Sequence, residues 1–133
     1  MSEENVEIVR AALEAINRGD LDAAVRHVAP DAEYDLSRAL GPFRGVYRGP
    51  DEIRRVGEEF ADPWESQRYE VEEFIESGEQ VVTPFTNHLL GRDGIEVQAR
   101  AAFLWTVREG SIVYLGFYQE RQEALEAASR FGT

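Results

Sequence analysis

The side chains able to do acid–base or ionic chemistry in this chain are few and scattered. His27 and His88 are its two histidines, and histidine is the side chain whose proton moves near neutral pH. Asp35 follows Tyr34 at the end of a short apolar segment, where a carboxylate could act as a general base if its pKa were raised toward neutrality. Arg100 sits beside the apolar run that follows it, and a guanidinium pointing inward there has to meet a carboxylate or a ligand anion. Asn87, Gln98, Gln119 and Tyr34 offer neutral hydrogen bonds, while Trp64 and Phe117 offer apolar walls. Cysteine is absent, which excludes disulfides, thiolate ligands and cysteine nucleophiles together. Two distant histidines without acids at ligand spacing make no metal site, and Gly41-Pro42-Phe43-Arg44-Gly45 fits no phosphate-binding loop. The expectation is therefore a site without metal or cofactor.

Length and composition limit what could position these residues. A chain of 133 residues, 43% hydrophobic and 30% charged, suits one domain (1–133) with one core. The formal charge of −12 repels phosphate backbones and anionic lipid, so neither nucleic acid nor a membrane surface is an expected partner. Met1-Ser2-Glu3-Glu4-Asn5 is acidic where a secretory signal would be basic and then apolar, and this predicts a cytoplasmic protein.

Periodicity supplies the elements. Val6, Val9, Leu13 and Ile16 recur at helical spacing and predict a helix from Glu3 to Asn17. Asp20 is placed to cap a second, short helix that Pro30 would stop, and a strand is predicted over Ala32 to Leu36. Pro50 opens a third helix whose buried stripe is Ile53, Val56 and Phe60. From Arg68 the period falls to two. Tyr69 to Ile75, Gln80 to Leu90, Ile95 to Val107 and Ser111 to Gln119 predict four meandering strands, followed by a short closing helix over Arg121 to Arg130. Helices first and sheet afterwards mean α+β, with helices packed on one face of the sheet.

Asp93-Gly94 is the strongest hairpin signal in the chain. A two-residue turn there pairs Leu89 with Gln98, Asn87 with Arg100 and Phe85 with Ala102, and paired residues share a face. On that register Asn87, Gln98 and Arg100 share a face with Ala102, while His88 lies opposite with Phe103, Trp105 and Tyr118. Those last three aromatics would be left on an outer face, which predicts a homodimer that covers them.

Several segments resemble the nuclear-transport-factor-2-like superfamily, in particular its SnoaL-like and ketosteroid-isomerase-like members. They are Ala15-Ile16-Asn17-Arg18-Gly19-Asp20-Leu21-Asp22, Ala29-Pro30-Asp31-Ala32-Glu33-Tyr34, Tyr47-Arg48-Gly49, the run Phe103-Leu104-Trp105-Thr106-Val107-Arg108-Glu109-Gly110, and the tail from Tyr118 to Ala128. The resemblance implies a cone: three helices inside a strongly bent mixed or antiparallel sheet, open at one end onto an apolar cavity. It also implies that the Ala102 face, with Asn87, Gln98 and Arg100, points inward together with Tyr34, Phe117 and Gln119, and that isomerase machinery would fall at Ala12, Leu36 and Ala102, all apolar. Steroid isomerase chemistry, which needs a carboxylate base and hydrogen-bond donors at the oxyanion, is not expected. Three functions stay open: binding of a small apolar ligand bearing a carbonyl or carboxylate; a cyclase- or isomerase-type enzyme using Asp35 or His88; and a non-catalytic dimerisation module.

Overall fold

The computed structural model describes residues 2–131. Helix α1 (Ser2–Asn17) buries Val9 and Leu13 of the predicted stripe together with Ala12 and Ala15, while Val6 and Ile16 of that stripe are half-buried. Helix α2 (Leu21–Ala24) is a single turn, capped by the Asp20 carboxylate accepting from the Ala23 N–H at 3.0 Å. It is shorter than expected because the chain turns extended before Pro30. The Val28 N–H donates to the Val25 carbonyl, and the Ile112 N–H donates to the His27 carbonyl at 2.7 Å. Strand β1 (Val28–Asp35) thus starts four residues early, with Pro30 inside an irregular stretch of its pairing where no ladder donor is needed.

Strand β2 (Val46–Arg48) runs straight into helix α3 (Gly49–Ala61). Gly49 is required at that junction: its φ is +82°, and a Cβ there would lie 3.1 Å from the Pro30 carbonyl oxygen. Strands β3 (Trp64–Val71), β4 (Ile75–Ser77), β5 (Gln80–Gly91), β6 (Glu96–Arg108) and β7 (Ser111–Tyr118) follow, and helix α4 (Arg121–Phe131) closes the chain. The sheet runs β2-β1-β7-β6-β5-β3, with β4 added beside β5. Strands β1 and β7 are parallel and every other pair is antiparallel, so the sheet is mixed. Its end strands do not pair with each other. The result is a curved, unclosed sheet with helices on its inner face.

The hairpin between β5 and β6 corrects the expected register. The Gly91 N–H donates to the Ile95 carbonyl at 2.8 Å, leaving Arg92-Asp93-Gly94 as a three-residue turn with Gly94 left-handed at φ +88°. Asp93 strengthens it by accepting from the Ile95 N–H at 3.1 Å. One extra turn residue shifts every pair: Asn87 faces Ala99, Thr86 faces Arg100, His88 faces Gln98 and Phe85 faces Ala101. Because side chains alternate, the slip moves Phe103 and Trp105 inside and Gln98, Arg100 and Ala102 outside.

Two apolar clusters result. Inside, α1 packs Val9, Ala12 and Leu13 against Val81, Phe85, Phe103, Trp105 and Leu115. Outside, Ala124, Ala127 and Ala128 of α4 cover Val82, Ala102, Leu104 and Tyr118. Phe103, Trp105 and Tyr118 are 3%, 2% and 3% exposed within a single chain, so they cannot form the outer dimer face that the two-residue turn implied. Of the three isomerase-matching positions, Ala12 and Leu36 line the interior and Ala102 lies under α4.

Candidate functional site

The inner face encloses a cavity of about 390 Å³. Its floor is aromatic. Phe103 is surrounded by Tyr34, Tyr69, Phe85, Trp105 and Phe117, with ring centroids 4.6 to 6.3 Å from its own. Strand alternation explains the grouping, since Phe85 on β5, Phe103 and Trp105 on β6, and Leu115 and Phe117 on β7 are successive inward positions. Tyr34 joins them from β1, beside Leu115.

Polar groups are few in this floor, and each is neutral. Asn87 is 3% exposed; its amide nitrogen donates weakly to Gln67 Oε1 at 3.4 Å, while its Oδ1 has no hydrogen-bond partner among the described residues. A buried carbonyl left unpaired costs about 1–3 kcal/mol, so this oxygen favours any molecule that brings it a donor. The Tyr34 and Tyr69 rings also line the cavity. Burial, reinforced at Tyr34 by the neighbouring Tyr69 and Tyr47, pushes both phenols above the ordinary tyrosine range. They stay protonated and remain donors at every physiological pH. Trp105 is already satisfied, its Nε1 donating to Thr83 Oγ1 at 3.0 Å.

The mouth is built by the loop between β1 and β2. Leu36 and Gly45 close its base by exchanging backbone hydrogen bonds at 2.7 and 3.3 Å. Above that clasp, Ala39, Leu40 and Phe43 line the opening, and Leu40 is 86% exposed. Phe43 packs edge-on against Phe60 of α3 at 5.7 Å, and Trp64 stands nearby at the start of β3. Gln119 lines this end too and donates from Nε2 to the Arg38 carbonyl at 2.8 Å, tying the loop to the end of β7.

The residues singled out for acid–base chemistry stand elsewhere. Asp35 shares the outer face with Tyr114, because Asp35 pairs with Gly116 across β1 and β7. It accepts from the Ser37 N–H at 2.9 Å, the Tyr114 hydroxyl at 3.2 Å and Arg38 at 3.3 Å, and the Arg38 guanidinium caps the Tyr118 ring at 4.0 Å. Gly116 makes room for this group, since a Cβ there would come within 2.7 Å of the Tyr114 hydroxyl oxygen. Partial burial raises the Asp35 pKa, but the bonds from Ser37, the Arg38 charge and the Tyr114 hydroxyl outweigh it and hold the carboxyl below its usual value. That is the wrong direction for a base working at neutral pH. His88 is also outside, with Nε2 2.7 Å from Glu70. Arg100 contributes to the cavity wall where β6 passes, yet its side chain is 76% exposed and its guanidinium donates to Glu72 at 3.1 Å. Gln98 is exposed on the same outer face. Among the described residues no group of histidine and acid side chains could hold a metal ion.

Asp35 carries a testable pH dependence. A carboxyl held below its unfolded pKa of about 3.9 stabilises the fold above that value and loses the contribution as pH falls through the lower, folded one. Asp35→Asn is expected to cost about 1–3 kcal/mol at pH 7, because Arg38 and Tyr114 lose a charged acceptor. It should cost less at pH 3, below the unfolded pKa, where the contribution has begun to be lost. Urea denaturation at the two pH values measures both, and an equal cost at each would show that the Asp35 charge contributes nothing.

Gln67 and Tyr69 are site residues that the sequence reading missed. The signal was present as alternation along Gln67-Arg68-Tyr69-Glu70-Val71, in which Gln67, Tyr69 and Val71 share one parity against Arg68 and Glu70.

Residues 9–115 match the SnoaL-like domain, and the chain belongs to that family. Solved structures of the same fold span nearly all of it. An NTF2-like protein of unknown function from Burkholderia pseudomallei is 26% identical, with 95% of this chain and 97% of that one covered and a TM-score of 0.77. TerC, crystallised with polyporic acid, is 20% identical over 95% and 98% of the two chains, with a TM-score of 0.78. A Xanthomonas campestris protein provisionally assigned as a polyketide cyclase is 21% identical over 96% and 98%, with a TM-score of 0.73. None of the curated proteins matches the chain. No helix among the described residues is long and apolar enough to cross a membrane.

Proposed function

We propose that this protein binds a small, neutral, ring-bearing molecule in its inner cavity. The observation that carries the reading is the pairing of an aromatic floor with one unpartnered buried carbonyl, Asn87 Oδ1. The floor accommodates a flat apolar body. A hydroxyl on that body would donate to Asn87, and a ring carbonyl would accept from Tyr34 or Tyr69. The two arginines of the cavity lining are already paired, Arg54 with Asp22 and Glu58 and Arg100 with Glu72, so a neutral ligand fits this floor better than the carboxylate that an inward, unpaired Arg100 would have held. TerC, which shares this fold, was co-crystallised with polyporic acid, and this supports small-molecule binding as the reading.

A thermal-shift and tryptophan-fluorescence titration tests the reading, since Trp64 and Trp105 both line the cavity. The probes are 1-naphthol, a steroid ketone, naphthalene and 1-naphthoate. A ligand at a hundred times its Kd stabilises the native state by about 2.7 kcal/mol, which is several degrees in Tm. The neutral hydroxyl- or carbonyl-bearing probes are expected to produce that shift and the naphthoate is not. In Asn87→Leu the advantage of naphthol over naphthalene should disappear. Absence of any shift across all four probes would remove the reading.

A cyclase- or isomerase-type reaction is the alternative, supported by the likeness to the Xanthomonas protein. Asp35 and His88, its acid–base candidates, have partners of their own on the outer face, so such a reaction would have to rely on the phenols and Asn87. A purely structural dimerisation module would have no use for an open cavity of this size.

A further inference from the structure

Asn87 can do more than accept one hydrogen bond. An asparagine amide has an oxygen that accepts and a nitrogen carrying two hydrogens. The bond to Gln67 Oε1, at 3.4 Å, uses one of those hydrogens, and the oxygen has no partner among the described residues. The two amides are therefore not joined edge to edge, since a two-bond pair would have used Oδ1 as well. The Asn87 edge on which acceptor and donor stand side by side is left for another molecule. A half-turn of the Asn87 amide would set its oxygen against Gln67 Oε1, so Gln67 holds the order of acceptor and donor. Along β5 this amide lies between Phe85 and Leu89, and across the sheet it lies between Tyr69 on β3 and Ala99 on β6. All five residues line the cavity, and Ala99 brings only a methyl group, which leaves room beside the amide.

A group complementary to that edge carries a donor and an acceptor on neighbouring atoms, both on the same side. A carboxylic acid has the pattern, but at neutral pH it is ionised, has lost its donor and would bring a charge to a cavity whose two arginines are already paired. A hydroxyl next to a carbonyl turns its hydrogen onto that neighbour and has none left to give. A ring amide keeps both groups. Ring closure holds its N–H and C=O cis and in one plane, without charge and without a rotor to freeze on binding. Its flat body is also what the aromatic floor accommodates. A second carbonyl, as in an imide, would find a donor in the Tyr34 or Tyr69 hydroxyl, both of which burial keeps protonated.

From this edge we infer that the cavity selects a planar cyclic amide, of the lactam, pyridone or imide class. Its N–H donates to Asn87 Oδ1 and its C=O accepts from Asn87 Nδ2, with Gln67 as the positioning residue. The inference rests on the ring-binding reading and narrows it: a hydroxyl fills half of the Asn87 edge, and a ring amide fills all of it. Solvent could satisfy either atom singly, so the preference shows as a difference between ligands of one shape and not as affinity alone.

Isothermal titration calorimetry of the full chain with 2-quinolone, coumarin and 2-naphthol tests it. Coumarin has the shape of 2-quinolone with a ring oxygen in place of the N–H, so it sets a lone pair against Asn87 Oδ1. The third probe, 2-naphthol, brings the donor without the carbonyl. In the parent chain 2-quinolone is expected to bind at least about tenfold tighter than either, since a site built around a hydrogen bond rejects an analogue that leaves its buried group unpaired. Asn87→Leu should bring the three to within about threefold of one another, with circular dichroism verifying the fold. Gln67→Leu should shrink the preference for 2-quinolone, and Gln67→Glu, which still accepts from Asn87 Nδ2, should keep it. Equal binding of 2-quinolone and coumarin in the parent chain, with 2-naphthol still bound, would overturn the inference and leave the ring-binding reading standing. A preference that survives Asn87→Leu would overturn it too, because another group would then be reading the amide. If none of the three binds, the ring-binding reading falls and the inference falls with it.

Discussion

Replacing Phe103 with alanine is expected to cost about 3–5 kcal/mol of folding stability. Phe103 is 3% exposed and is the one ring that touches all five others of the cavity floor, stacking on Phe85 with centroids 4.6 Å apart. Its removal forfeits the burial of a large side chain and the edge contacts of its neighbours, each aromatic pair contributing about 0.5–1.5 kcal/mol beyond area. The void it leaves would merge with the existing cavity, and a site already partly open has little means of collapsing. Total stabilities of domains this size run to about 5–15 kcal/mol, so the variant would unfold well below the temperature of the parent chain. Urea denaturation should show a lowered midpoint with an unchanged slope. A loss under about 1 kcal/mol would mean that the floor is loosely packed and the rings act independently.

Ala101→Trp is expected to do the reverse: little to stability, much to binding. Ala101 is half-buried, lines the cavity, and faces Phe85 across β5 and β6. Enlarging a side chain in a filled core costs about 1–3 kcal/mol, but here the added indole has open space to enter. It would occupy the volume in which a ligand ring must lie. Affinity for any probe that shifts the parent chain should fall at least about tenfold, a step of 1.4 kcal/mol, while the melting temperature without ligand stays close to that of the parent. Undiminished binding would place the ligand outside the cavity. A collapse in stability would show instead that the wall at Ala101 is closed. The two substitutions separate the contribution of the aromatic floor to folding from its contribution to recognition.

Helices and the sheet's overall order were legible because they rest on periodicities that no tertiary contact had to supply. The α1 stripe, the Asp20 cap and the Pro50 start can be read from neighbouring residues alone, and the structure has all three. What escaped was register. Asp93-Gly94 satisfies a two-residue turn and also the last two positions of a three-residue one, and nothing local separates them. The choice is made by burial: only the longer turn puts Phe103 and Trp105 together with Phe85 and Asn87 on the inner face. One residue therefore decided which side chains line the cavity and which face solvent, and Arg100 changed sides with it. Short strands such as β2 and β4 were illegible for a related reason, since three residues carry no period and form only because β1 and β5 offer edges to pair with. Asp35 was correctly seen at a strand end. Its trio of partners, drawn from the following turn and from β7, lay beyond any sequence window.

The clasp between Leu36 and Gly45 has an evolutionary consequence. The two backbone bonds close the loop at its base, and Ser37, Arg38 and Ala39 bond back to Asp35 and Leu36, so residues 40 to 44 above them are insulated from the pairing of β1 with its neighbours. Insertions, deletions or replacements in that segment would be felt at the mouth, where Leu40 and Phe43 stand, and scarcely in the ladder beneath. Lengthening such a loop adds little entropic cost. The molecule thus carries the rim of its cavity as a replaceable segment on a fixed frame, and on the proposed ligand reading a change of ligand could come from this rim while the floor that holds the fold together stays as it is.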